Sequence, residues 1–161
     1  MQTLAELMQI LPQQGRVCWI GLRPDKGAPV KRVATVDVSL EQGLVGDRYA
    51  KTGGNRQVTL IQEEHLTALA SMLKRPDLGP EILRRNIVVS GINLLALKDK
   101  QFRIGAVLLE YTAPCHPCSK METILGPGGY NAMRGHGGIC AKVISAGRIS
   151  TDDPVRMVLA G

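Results

Sequence analysis

Aromatic residues are scarce in this sequence: one Trp, one Phe and three Tyr among 161 residues, 3%. So few rings leave little with which to build a base-stacking platform, which argues against a nucleic-acid partner. No apolar run approaches the roughly 20 residues of a membrane-spanning helix. The opening MQTLAELMQIL lacks the basic start and small-residue cleavage site of a secretory signal, so a reducing cytoplasm is the expected setting. A Walker A motif, a G-x-G-x-x-G turn opening a helix after the first strand, and a G-x-S-x-G elbow are all missing. Nucleotide-binding folds and serine hydrolases therefore have no motif in their favour. Internal repeats and low-complexity linkers are absent too.

What is present suits one soluble domain over residues 1–161. Hydrophobic residues make up 44% and charged residues 21%, ordinary values for a globular chain large enough to bury a core. The formal charge of +6 is spread along the chain rather than gathered into a tail, which fits a small anionic ligand. Four cysteines in a reducing compartment point to catalytic, metal-binding or free thiols rather than structural disulfides.

Thr3 and Glu6 form a capping box, and Leu4, Leu7, Met8 and Leu11 recur at helical spacing, predicting an amphipathic helix within residues 1–14. Its apolar face is read as core or as a contact between two copies in a homodimer. QEEHLTALASMLKRP predicts a second helix, with Leu66, Leu69, Ala70 and Leu73 on one face, and Gly79-Pro80 begins a short third. Seven runs read as strands: RVCWIGL, VATVDVSL, RQVTLI, NIVVSG, FRIGAVLLEYT, ICAKVISAG and VRMVLA. Strands outnumber helices and do not alternate with them, so a mainly β, mostly antiparallel barrel with a few peripheral helices is expected. Trp19 and Phe102 are assigned to the core, and His65 to a structural or surface role.

Two loops, 41–56 and 113–138, concentrate Gly, Arg and Lys, and long loops in compact domains are commonly functional. The second contains TAPCHPCSKME. A C-x-x-C pair first suggests dithiol redox chemistry, but the proline-bounded turn and short following helix lack the βαβ setting this needs. Cys115, Cys118, His136 and Cys140 have the spacing of a structural zinc site. A third reading makes the pair a soft thiolate site for an anionic metal cofactor, aided by Lys120, His116 and nearby arginines. A fourth is that two small residues simply fill a turn. Arg48, Arg56, Arg84, Arg85 and Arg134 each stand beside a chain turn, and guanidinium groups with glycine-rich turns can hold a phosphate.

Taken in order, GLVGDRY, RQVTLIQEEHL, LRRNIVVSGINLLAL, FRIGAVLLEYTAPCHPCSKME and GGICAKVISAGRIS resemble the molybdenum-cofactor sulfurase C-terminal domain family, the MOSC domain, over about residues 16–159. The resemblance implies a MOSC-type β-barrel with a pocket for molybdenum cofactor, a pterin carrying a phosphate and a metal-binding dithiolene. It implies reduction of N-hydroxylated compounds, or sulfur or cofactor carriage. Pro117-Cys118-Ser119-Lys120 matches the family's Pro-Cys segment, making Cys118 the expected molybdenum ligand or sulfur carrier and Cys115 the second choice. Arg48, Arg56, Arg85, Arg134 and Lys120 would hold the cofactor, while Asn86 and His136 would orient the pterin or meet a substrate oxygen. A small-molecule substrate and a separate electron, cofactor or sulfur donor protein follow as partners. Tyr49 stands where the family frequently has histidine.

Overall fold

The computed structural model describes residues 1–48 and 53–159; Tyr49 lies outside them. Seven strands close into a mixed barrel: β1 (Gly15–Leu22), β11 (Pro154–Val158), β7 (Gln101–Ile104), β8 (Val107–Pro114), β9 (Ile139–Ser145), β5 (Val58–Gln62) and β6 (Ile87–Ser90), which pairs back to β1. Every one of these pairings is antiparallel except β5 with β6, where Leu60 faces Ile87. That parallel pair requires a crossover, supplied by α2 (Glu63–Leu73) and the short α3 (Pro80–Leu83). β2 (Lys31–Val33) adds to the end of β1, and β3 (Thr35–Ser39), β4 (Gly43–Leu44) and β10 (Gly147–Ser150) form a small second sheet.

Burial explains the strand chemistry. β7 alternates between half-buried and buried residues, Phe102 and Ile104 pointing into the barrel, as expected for a sheet covered on one face. β5 is buried at all five positions, because its outer face lies beneath helices. Two apolar clusters result. One fills the barrel around Phe102, Val17, Leu60 and Ile139. The other joins the outer face of β1, β5 and β6 to the helices through Trp19, Ile61, Leu69, Leu83 and Met121. A β-bulge at Cys18 shifts the β1–β6 register between Val17 and Trp19, which turns Trp19 toward the helix layer.

Three expectations change. FRIGAVLLEYT folds as a hairpin of β7 and β8, because Gly105 at φ +57 makes the turn. VATVDVSL is split between β2 and β3. The first helix, α1, spans only Leu4–Leu7: its capping box is present, with Thr3 Oγ1 accepting from Glu6 N at 3.1 Å. It buries nothing, and Leu4, Leu7 and Met8 stay exposed, while Leu11 alone reaches the core. A single turn with no surface to pack against has little to extend it. Among the described residues no helix is long and apolar enough to cross a membrane.

Candidate functional site

The cationic turns converge where β1 finishes and β5 and β6 begin, beside the segment that follows β8. Arg23 follows β1, Arg56 precedes β5, Arg84 and Arg85 precede β6, and Cys118 follows β8. With Arg48 and Lys120 they line one cavity of about 390 Å³. His116 and Pro117 complete its thiol-bearing side, Leu83 and Met121 give it an apolar patch, and no carboxylate is among its described lining residues. Three other depressions, of about 360, 420 and 480 Å³, border the N-terminal segment at Met8, Gln9 and Leu11 and contain no cysteine.

A buried polar network fixes the inner wall. Arg23 donates to Asp47 from its backbone N (2.7 Å), Nε (3.1 Å) and Nη2 (2.9 Å). The same Nη2 reaches Asn86 Oδ1 at 2.9 Å, and Nη1 reaches the carbonyl of Arg84 at 3.4 Å. Asn86 is wholly buried; its amide donates to Gly21 O and Asp47 Oδ1, both at 3.0 Å, and its oxygen also accepts from Thr59 N and Oγ1. Both of its amide hydrogens and its oxygen are committed. Asn86 therefore does not face a ligand, contrary to the expectation; it holds Arg23 and Asp47 in place. Arg23 and Asp47 escaped the sequence reading. Their only signals were an arginine directly after an apolar run and an aspartate in Gly46-Asp47, both of which usually read as surface.

Arg85 is buried and donates from Nε to Gly137 O at 2.9 Å and from Nη1 to Leu83 O at 2.8 Å. Arg84 has left-handed backbone at φ 56 and donates from Nη1 to Ala28 O at 2.5 Å, tying down the loop after β1. A guanidinium such as that of buried Arg85, held by backbone carbonyls, keeps its charge without being neutralised, which favours an anionic guest. Arg48, Arg56 and Lys120 are exposed at the rim.

The two thiols of the C-x-x-C pair differ sharply. Cys118 is exposed at the N-cap of α4 (Ser119–Leu125) and lines the basic cavity. Cys115 is 2% exposed, neighbours Cys140 on the same face of the β8–β9 pair, and accepts from Arg56 Nη2 at 3.9 Å. The Cys140 thiol beside it, with the charges of Arg85, Arg56 and Arg23, outweighs burial and holds the Cys115 pKa down at about 6; the neighbouring Cys115 and burial push Cys140 up.

The zinc reading fails on this geometry. Cys115 and Cys140 meet in the interior while Cys118 points to solvent, and no group of three or more His, Cys, Asp or Glu among the described residues could hold a metal ion. His136 does not line the cavity. Its ring packs edge-on against His65 of α2 at 4.9 Å, and its Nδ1 lies 2.9 Å from Ala132 O, a contact that places a proton on Nδ1. Burial, then the neighbouring His136, lowers the pKa of His65. Arg134, exposed at the end of α5 (Gly129–Met133), is likewise outside the cavity lining.

The glycine runs serve packing rather than anion capture. A Cβ on Gly138, at φ +86, would sit 1.8 Å from Leu60 O, and one on Gly137 would sit 2.1 Å from Cys115 O. The Gly126–Gly129 turn already holds an anion of its own, the Glu122 carboxylate, which accepts from Gly128 N at 3.1 Å and Tyr130 N at 3.0 Å.

Comparison with known proteins bears on the same segments. The family model described as MOSC domain matches residues 46–156, a span holding Arg48, Arg56, Arg84, Arg85, both C-x-x-C thiols and Lys120. A search of curated proteins finds no match. Among solved structures, the YuaD protein from Bacillus subtilis aligns with a TM-score of 0.77 at 20% identity, over 92% of this chain and 98% of that one. YiiM from Escherichia coli aligns at 0.69 and 21% identity, over 91% of this chain and 71% of that one. YiiM from Geobacillus stearothermophilus gives 0.71 and 20%, over 91% and 76%. Such identities speak for the barrel alone. The family match covers well over half of the sequence and contains most of the basic cavity, so the chain belongs to the MOSC domain family, which is generally associated with molybdenum-cofactor binding.

Proposed function

We propose that the basic cavity binds molybdenum cofactor with Cys118 as the thiolate ligand of the metal, and that the loaded protein reduces N-hydroxylated small molecules using electrons from a separate donor protein. One observation carries this reading: an exposed thiol and a cluster of guanidiniums line the same cavity, with no carboxylate among the described lining residues. The donor set fits the group. Thiolate sulfur suits a soft metal–dithiolene centre, and arginine forks suit a phosphate. A cavity of about 390 Å³ lies within the usual range for small-molecule sites.

Within that reading the residues divide the work. Arg23 and Arg85, held by buried hydrogen bonds, form the preorganised wall. Arg48, Arg56 and Lys120 close over the anion from the rim. Leu83 and Met121 keep water from one side. His116 is the imidazole in the lining and takes the role of hydrogen-bond donor to a substrate oxygen that sequence reasoning gave to Asn86 and His136. When bound, the cofactor supplies two-electron redox chemistry that no side chain here offers.

A second reading, cofactor carriage without turnover, is favoured by the exposure of Cys118, which leaves the metal-binding thiol open to another protein. The test is elemental analysis of protein made in cofactor-competent cells, followed by turnover of an N-hydroxylated purine with a reductase present. Near-stoichiometric molybdenum that disappears in Cys118→Ala and falls in Arg85→Ala supports binding, and turnover then selects catalysis over carriage. Molybdenum retained in full by Cys118→Ala removes that thiol from the metal; absence of molybdenum from the wild-type protein overturns both readings.

A further inference from the structure

Neither Cys115, the second-choice thiol of the sequence, nor Cys140 lines the basic cavity, although the fold builds a reactive environment around them. Both are 2% exposed, and the pairing of β8 with β9, Ala113 opposite Cys140 and Cys115 N bonded to Gly138 O, sets them on the same face of adjacent strands. Arg56 Nη2 lies 3.9 Å from Cys115 Sγ, and Arg85 and Arg23 add charge nearby. A separate cavity of about 80 Å³ abuts Cys115, walled by Pro114, Pro117 and the Gly135–Gly138 turn. Its size admits a few water-sized atoms and nothing much larger. A structural cysteine that merely filled space would need neither the guanidinium, the second thiol nor the void.

We infer that Cys115 and Cys140 form a peroxide-reactive dithiol, in which a small hydroperoxide enters the cavity beside Cys115 and oxidises the pair to a disulfide. In the first step Cys115 Sγ attacks one peroxide oxygen, the O–O bond breaks, and the departing hydroxide takes up a proton to leave as water; Arg56 stabilises the developing negative charge. The sulfur is now a sulfenic acid, oxidised by two electrons. In the second step Cys140 Sγ attacks that sulfur, an S–S bond forms, and the Cys140 proton leaves with the sulfenic oxygen as a second water. Net, one peroxide and two thiols give one disulfide and two waters. The narrow cavity selects for hydrogen peroxide over bulky disulfides and alkylating agents. Oxidation removes an anion from beside Arg56 and Arg85 and ties the segment before Cys118 to β9, so the basic cavity becomes more positive and its thiol-bearing side less mobile.

The experiment uses full-length, cofactor-free, reduced protein treated with stoichiometric hydrogen peroxide, then denatured, alkylated and mapped by peptide mass spectrometry. The expected result is loss of both thiols and a peptide pair joined through Cys115 and Cys140. The rate should fall about tenfold between pH 7 and pH 5, because the thiolate is protonated on passing pH 6, whereas an ordinary thiol would lose about a hundredfold. Cys140→Ser should convert the outcome to oxygenated Cys115 with no disulfide. Oxidation confined to Cys118 or Cys18, a Cys115–Cys118 disulfide, or a Cys140→Ser protein whose Cys115 stays reduced would each overturn the inference. None of these readouts involves molybdenum, so failure here leaves the cofactor reading standing, and the reverse also holds.

Discussion

Asp47→Asn is the most exacting substitution for the polar wall of the cavity. Asp47 and Arg23 are both nearly buried, and Asp47 accepts three hydrogen bonds from Arg23 and one from Asn86. Asparagine keeps the shape, but it removes the charge and turns one acceptor into a donor facing a guanidinium. Leaving a buried cation without its counter-charge costs about 3–5 kcal/mol. For a chain of this length that lowers Tm by on the order of 10 °C. Differential scanning calorimetry of the wild-type and Asp47→Asn proteins reads the shift, and the double variant Arg23→Met/Asp47→Asn should recover part of it because no uncompensated charge remains. A single variant melting within about 2 °C of wild type, or a double variant less stable than the single, would refute the assignment of this pair as the support of the inner wall.

Two further outcomes test other parts of the molecule. Gly138→Ala should unfold the protein or lower its stability by about 3 kcal/mol or more, measured by urea titration, because the new Cβ meets Leu60 O at 1.8 Å and the backbone is left-handed. The His65 pair gives a pH signature: burial and His136 lower the folded-state pKa of His65 below its unfolded value near 6.5. Its contribution is thus present above pH 6.5 and lost as pH falls through the lowered folded value. Tm should decline on acidification across that window, and His65→Gln should flatten the decline.

The barrel was largely legible because alternation and β-branched runs report burial directly, and Phe102 and Trp19 went where their size required. The split of FRIGAVLLEYT was harder to see, since a single Gly105 interrupts an otherwise continuous apolar run. For the site, the arginines beside turns and the C-x-x-C pair were visible as residue types at suggestive positions. Their partners were not. Asn86 looked like a ligand contact because its amide can do many things, and only the approach of β1 and β5 shows that its hydrogen-bonding groups are already spent on Gly21, Thr59, Arg23 and Asp47. His136 likewise lost its expected role to a ring on α2, a neighbour more than 70 positions away in the sequence. Glycine-rich runs misled for a related reason: the same freedom that admits an anion admits another strand's carbonyl.

The barrel is sealed by its earliest and latest strands, Gly15 opposite Val155 and Arg16 opposite Pro154. Until β11 is made, β1 has β6 on one side and on the other only β2, which covers Ile20–Leu22 and leaves the edge at Gly15 and Arg16 open, so closure waits for a strand far along the sequence. Arg23 is delivered by β1, and its hydrogen bonds reach residues beside β4 and β6. The residues that line the basic cavity all precede β11, so a chain stalled before that strand carries the parts of the site beside an unpaired strand edge.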